Sequence, residues 1–172
     1  MESKNSLIKK LLFGFFLTVT FSSCFIFYTF KDISIAPDVK TFYVEDFANN
    51  ATNSPATLNQ DFSEALRKKI IDETSLTYDE NNPHVIFSGA ISSFVVTAQA
   101  PDKEGASLNR LQIKINVEYL NALHEKENWK KPFTWYADFP SDQSLDEVQE
   151  SLIKEIFDQI LDDIINKSFN NW

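Results

Sequence analysis

The chain has one cysteine, Cys24, and its position predicts lipid attachment. It follows three lysines, an apolar run of eleven residues at positions 11–21, and two serines. A basic start, an apolar stretch and small residues before a cleavage site are typical of a secretory signal. The run is too short to span a bilayer, which needs about 20 apolar residues. We therefore predict that residues 1–23 are a lipoprotein signal peptide and that Cys24 becomes the acylated N-terminus.

Acylation at Cys24 would place the protein on a membrane, because two or more acyl chains give stable anchoring. Phe25 stands where retention in the inner membrane would place an aspartate, so we expect sorting to the outer membrane. No acidic run follows Cys24 closely, which favours the periplasmic side over the cell surface. Residues 24–38 then form a lipid-anchored lead-in, and residues 39–172 form a single domain. The alternative is an ordinary signal peptide with a chance cysteine, since Phe21 replaces the more usual leucine.

The rest of the chain offers little catalytic chemistry. Its two histidines, His84 and His124, lack the paired spacing of a zinc protease, and its three glycines cannot build a phosphate-binding loop. No nucleophile elbow is present, and acidic pairs fall in turns or on solvated faces. We therefore expect no enzyme activity, no metal site, and no cofactor apart from the lipid on Cys24. A net charge of −9 argues against nucleic acid, whose backbone requires a basic surface.

Periodicity predicts the elements that surround these residues. Residues 111–119 alternate strictly between apolar and polar, which is typical of a strand with one dry and one wet face. Helical spacing from Leu58 to Ile71, which Thr57 can cap, predicts a first helix. A capping box of Ser144 and Glu147 begins a second, longer one. The other predicted strands are residues 39–46, 75–78, 85–98 and 133–139, and Gly89 indicates a bulge or bend in the third of these.

The order of these elements predicts an α+β fold, with two helices packed on one face of a roughly four-stranded mixed, mostly antiparallel sheet. Leu111, Ile113, Ile115, Val117 and Tyr119 should face Phe62, Leu66, Ile156 and Ile160 of the helices. The apolar arc of the last helix is wider than a sheet alone needs. It is either buried between the sheet and the first helix, or part of it contacts another protein.

In the order of its helices and strands and in its predicted lipid anchor, the chain resembles the LptE family of lipopolysaccharide-assembly lipoproteins. The resemblance runs from Cys24 and its aromatic lead-in to the C-terminus. It includes residues 35–42 (IAPDVKTF), 62–66 (FSEAL), 108–111 (LNRL), 137–139 (ADF), the long last helix and 169–172 (FNNW). It implies a non-enzymatic partner of the outer-membrane β-barrel LptD, which sits inside the barrel as a plug, assists its assembly and helps deliver lipopolysaccharide to the outer leaflet.

Two other classes of function stay open from the sequence. One is a periplasmic lipoprotein scaffold for a different envelope complex. The other is a small-ligand or hydrolytic domain whose site residues are dispersed along the chain.

Cations interleaved with aromatic residues are the candidate contacts to lipopolysaccharide. Arg and Lys pair with phosphate, and aromatic rings cover apolar surface. The alternative interpretation is that these are solvated lysines of turns, or contacts to the wall of the barrel. The candidates are Arg110, Lys114, Lys130 and Lys131, with Lys103, Lys126, Trp129 and Trp135 nearby.

Overall fold

Six strands and two α-helices make up the part of the chain that the computed structural model describes, residues 35–100 and 107–169. The predicted signal peptide, Cys24 and Lys103 lie outside this part. The helices are α1 (Leu58–Glu73) and α2 (Leu145–Phe169). The strands are β1 (Thr41–Val44), β2 (Ala48–Asn49), β3 (Thr77–Tyr78), β4 (Val85–Ala98), β5 (Leu108–Asn121) and β6 (Trp129–Pro140), and a short 3-10 turn, Glu125–Glu127, precedes β6.

The strands form one mixed sheet in the order β3-β1-β4-β5-β6, and β2 also pairs with β4. Strands β4, β5 and β6 are antiparallel neighbours, whereas β1 and β2 run parallel to β4, and β3 runs parallel to β1. Short turns can join antiparallel strands, but parallel strands need a longer crossover, which α1 supplies here. The predicted fold class is confirmed. The sheet has six strands rather than roughly four. Strand β3 falls within the predicted strand 75–78, whereas β2 has only two residues and is too short to show a periodic pattern.

Strands β1 and β2 lie along the same edge of β4, and the chain between them places the side chain of Phe47 in the core. The N–H of Glu45 donates to the carbonyl of Phe87 at 2.9 Å, so the backbone stays on β4 after β1 ends. Phe47, which is 1% exposed, then packs over Gly89. A Cβ on Gly89 would lie 2.7 Å from the Phe47 ring and 2.1 Å from the Asn116 carbonyl oxygen. Close approach therefore requires glycine at this position.

The irregularity in β4 lies beyond the glycine that indicated it. The register against β5 shifts between Ile91 and Ser93, whereas Gly89 keeps its regular partner Val117. The prediction of a bulge at Gly89 was therefore correct for the strand and wrong for the residue. An isolated glycine in a strand marks either a bulge or a close approach of the backbone, and here it marks the second.

The predicted dry face of β5 is confirmed. Its five apolar side chains at alternate positions are 0–2% exposed, and so are the predicted helix residues that cover the sheet. Phe62 of α1 contacts Phe47 on one side and Phe157 of α2 on the other, with ring centroids 5.0 and 5.1 Å apart. At the other end of the core, Tyr119 contacts the rings of Phe87 and Phe169.

The two helices run in the same direction across the sheet. Phe62 contacts Phe157, and further along both helices the Lys69 ammonium lies 2.6 Å from the Asp162 carboxylate. The wide apolar arc of α2 is explained by burial against the sheet and α1, and its apolar residues Leu145, Val148 and Ile153 are partly buried. The buried residues of α2 are Leu152, Ile156, Phe157, Ile160, Leu161, Ile164, Ile165 and Phe169.

The two helix starts differ in how they are capped. The N–H of Ser144 donates to the Glu147 carboxylate at 3.2 Å, which is half of the predicted capping box. Thr57 does not cap α1 through its side chain, so that prediction was wrong. Its hydroxyl donates instead to the Asp61 carboxylate at 3.0 Å, because the backbone of Thr57 is already helical and turns the oxygen away from the free N–H groups.

The two faces of β5 give a direct test of the core. Replacing Ile115 by Ala should lower the free energy of unfolding by about 2–5 kcal/mol, since a fully buried isoleucine leaves a cavity. Lys114→Ala, one residue away on the wet face, is the matched control and should change it by less than about 0.5 kcal/mol. Urea unfolding of both variants measures the difference, and equal stabilities would show that the faces of β5 are reversed.

Candidate functional site

The candidate cations are distributed over both faces of the β5–β6 pair. Alternation places Arg110 and Lys114 of β5 opposite the buried stripe, on what we call the outer face, away from the helices. Lys130 of β6 pairs with Glu118 and lies on the same face. Lys131 pairs with buried Val117 and so lies on the helix side of the sheet. The structure therefore brings three of the four proposed ligand-binding residues to one face.

Arg110 is held by two neighbours on β6. Its Nε and Nη2 donate to the two carboxylate oxygens of Asp138 at 2.7 and 2.8 Å, and its guanidinium lies 3.6 Å from the centre of the Tyr136 ring. Hydrogen bonding to Arg110 lowers the pKa of Asp138, and the same contact raises the pKa of Arg110. The positive charge of Arg110 is thus compensated by Asp138. Arg110 adds no net charge to this surface, but its side chain is held in one position against the Tyr136 ring.

Of the cations on the outer face, Lys114 is the one without an ion pair among the described residues. The Lys130 ammonium donates to the Glu118 carboxylate at 2.8 Å. Lys114 instead faces Thr134 across the strand pair and is exposed. On the other side of the sheet, the Lys131 ammonium lies 5.2 Å from the centre of the Phe133 ring. An anionic group that approaches the outer face would therefore meet Lys114 as its uncompensated positive charge.

Next to Lys114, the sheet exposes a group of large apolar side chains. Val95, Val96, Trp135 and Tyr136 are 44%, 40%, 38% and 45% exposed. Val95 and Tyr136 lie on the outer face, and we call these two the apolar tip. Val96 and Trp135 pair with buried Leu111 and Ile113 and so lie on the helix side. Val95 and Tyr136 lie on either side of Gln112, two residues from Lys114 along β5. Sequence reasoning selected Trp135 but missed the two valines, which read as core residues in a β-branched strand. Exposed apolar side chains in a cluster indicate an interaction surface.

Trp129 and Lys126 lie at the other end of the β5–β6 pair, apart from the apolar tip. The Trp129 ring is half-buried and stacks on Tyr119, with centroids 5.6 Å apart and planes at 14°. Burial raises the pKa of Tyr119 to about 12. Lys126 and Trp129 line a polar cavity of about 500 Å³ beside the end of α2. Trp129 therefore supports the edge of the core and is not combined with Trp135 in one site.

Both histidines have structural partners. The Nδ1 atom of His84 accepts the N–H of Lys40 at 3.0 Å, at the start of β4. The Nε2 atom of His124 lies 3.0 Å from the Asp38 carboxylate and joins the β5–β6 turn to the segment before β1. Across residues 35–100 and 107–169, no three histidine, cysteine or acidic side chains converge in a way that could hold a metal ion.

Neither described helix has the length and apolarity needed to cross a membrane.

Residues 39–168 match the model of the LptE family, which is described as lipopolysaccharide assembly. The chain belongs to the LptE family. This membership supports a role as a lipopolysaccharide-assembly lipoprotein and confirms the resemblance inferred from the sequence. No curated protein sequence matches the chain.

Solved structures with the fold of this LptE-family chain come from distant bacteria. A minor lipoprotein of Acinetobacter baumannii is 12% identical, with a TM-score of 0.50 over 75% of this chain and 91% of that one. A hypothetical protein of Chlamydia trachomatis is 9% identical, with a TM-score of 0.54 over 77% of this chain and 99% of that one. At such identities the similarity shows a shared fold and nothing about ligands.

The ion pair between Asp38 and His124 predicts a pH dependence of stability. Hydrogen bonding to Asp38 raises the pKa of His124 above its ordinary 6.5, and the same bond lowers the pKa of Asp38 below 3.8. The stability that His124 contributes is fully present below pH 6.5 and is lost as the pH rises through the raised pKa of His124. The stability that Asp38 contributes is fully present above pH 3.8 and is lost as the pH falls through the lowered pKa of Asp38. The pair therefore stabilises the fold most between 3.8 and 6.5.

We expect His124→Gln to be less stable than the parent at about pH 5 and equal to it at about pH 8, measured by urea unfolding. Asp38→Asn and the double variant are the controls, and both should show the same loss as the single change because they remove the same pair. A difference in stability between His124→Gln and the parent that grows toward pH 8 would contradict the ion pair between Asp38 and His124.

Proposed function

We propose that this chain is a non-enzymatic lipoprotein of the outer membrane that partners an LptD-like β-barrel, plugs it, assists its assembly and helps deliver lipopolysaccharide to the outer leaflet. The observation that carries the proposal is the family match over residues 39–168. Because that family is one of assembly proteins, we propose that the protein acts by binding rather than by catalysis. Its location would be the periplasmic side of the outer membrane and the lumen of the partner.

The outer face supports a role in passing an amphiphile. Lipopolysaccharide combines phosphorylated sugars with acyl chains, so a surface that assists its transfer needs a cation beside apolar area. Lys114 and the apolar tip provide these two features on adjacent rows of β4, β5 and β6. Arg110 adds an ordered cation over Tyr136, and Lys130 adds a second lysine if Glu118 releases it.

Lipid attachment at Cys24 is the first part of this proposal to test. Cys24→Ala should abolish incorporation of labelled fatty acid and release the protein from membranes, because the sole thiol of the chain is lost. Ser23→Ala keeps a small residue before the cysteine and is the matched control, which should stay labelled. Membrane fractions on a density gradient then give the location. Label retained in Cys24→Ala would refute lipidation at this residue.

The barrel partnership predicts a specific complex. The full chain, tagged at its C-terminus and extracted from outer membranes in mild detergent, should co-purify with a large outer-membrane β-barrel in a fixed ratio. Depletion of the chain should reduce the amount of correctly folded barrel, which heat-modifiable migration on gels reports. Co-purification with a different envelope complex would favour a general periplasmic scaffold instead.

The outer face predicts where lipopolysaccharide binds. Changing Arg110, Lys114, Lys130 and Lys131 together to Ala should weaken binding of lipopolysaccharide by the full chain at least about tenfold, as expected for the loss of several charge-assisted contacts. Lys114→Ala alone should produce most of the effect, because its charge is unpaired among the described residues. Lys154→Ala on α2 is the matched control and should leave binding unchanged. Equal binding by the fourfold variant and the parent would exclude this face.

A further inference from the structure

A groove runs between α1 and α2, and the proposed handling of lipopolysaccharide does not use it. It has a volume of about 830 Å³, and the described residues that line it belong to the two helices and the turn that precedes α1. Because the helices run in the same direction, their first turns lie at one end of the groove and Lys69 and Asp162 close its other end.

The floor of the groove is apolar. Ala65 of α1 and Ile153, Phe157 and Leu161 of α2 provide it, and Ile153 and Ala65 are only partly buried. Of the α2 residues in this floor, Ile153 is the one that α1 leaves partly open to solvent, since Phe157 and Leu161 are buried. An apolar segment placed there would remove Ile153 from water and gain free energy in proportion to the area that it covers.

The rim of the groove is acidic. Six carboxylates line it against three lysines, and each lysine is paired within the helices. Lys68 pairs with Asp72, Lys69 pairs with Glu73 and Asp162, and Lys154 pairs with Asp158. Asp146 and Glu150 are exposed and make no ion pair with the described residues. These two carboxylates are therefore available to a partner.

The groove takes three carboxylates from each helix, but the negative charge of the helix layer as a whole comes chiefly from one helix. Helix α2 has seven carboxylates and two lysines, which gives it −5 of the net −9 of the chain. Helix α1 has four carboxylates and three cations. Asp146 in the first turn of α2 also offsets the helix dipole, but Glu150 lies beyond that turn and has no such role.

We propose that the groove between α1 and α2 binds a basic, amphipathic segment of a partner protein. An apolar side chain of that segment would cover Ile153, and a lysine or arginine would reach Glu150 and Asp146. Anionic lipid, nucleic acid and a second copy of this acidic chain are all disfavoured by charge at this surface. The inference does not depend on lipopolysaccharide as the cargo, and its test is independent of binding at Lys114.

Site-specific photocrosslinking in cells tests the proposal on the full chain. A photoreactive amino acid replaces Gln149, which lines the groove, or Gln159, which is exposed on α2 outside it. We expect the Gln149 position to give a discrete crosslinked protein and the Gln159 position to give little or none. Mass spectrometry should map the crosslink to a partner peptide of net positive charge that contains apolar residues.

Charge variants then separate recognition from proximity. Asp146→Asn with Glu150→Gln should lower the yield from Gln149 at least about threefold, as expected for two exposed ion pairs. Glu155→Gln with Asp163→Asn makes the same change in charge on exposed residues outside the groove and should leave the yield unchanged. The proposal is overturned by an equal loss in both pairs, by equal yields from Gln149 and Gln159, by no crosslink, or by a crosslink to lipid, to a second copy or to a peptide without basic residues.

Discussion

The strict alternation of β5 is the constraint on which the rest of the structure depends. This strand lies between β4 and β6, so its register determines which side chains of all three strands face the helices. A slip by one residue would turn Ile113 and Ile115 to solvent and bring Lys114 into the core. The buried stripe also reaches the end of the core, where Tyr119 contacts the rings of Phe87 and of Phe169, the last residue of α2.

The same register arranges the charges of the outer face. Arg110 is directly opposite Asp138, and Glu118 is directly opposite Lys130, so two cross-strand ion pairs follow from the alignment that buries the stripe. Lys114 is opposite Thr134 and keeps its charge exposed. The register that buries the apolar stripe on one side of the sheet therefore also determines which cation on the other side is left without an ion pair.

Periodicity explains why β5, α1 and α2 could be predicted and why the site could be predicted only in part. Apolar residues that recur every four positions on a helix or every two on a strand reveal the buried face of that element, even when the element that covers it is not known. The pairing of Arg110 with Asp138 joins residues that are 28 positions apart, so it depends on a register that the sequence does not state. Alternation from buried Phe133 could have placed Lys131 on the helix side. The exposure of Val96 gave no such signal, because it lies on the helix side and its exposure depends on where the helices end.

Separation of charge between the two layers explains how an acidic protein can approach an anionic lipid. The helices carry most of the negative charge, and the outer face carries Arg110, Lys114 and Lys130 against two acids. The helices pack on the face of the sheet opposite Lys114, and a helix with its side chains is about 10 Å across. At physiological salt, exposed charges are largely screened from each other beyond about 8 Å. A phosphate at Lys114 is thus governed by its local surroundings rather than by the net charge of the chain. The helix layer can therefore stay acidic and recognise the proposed basic partner without repelling the proposed ligand of the outer face.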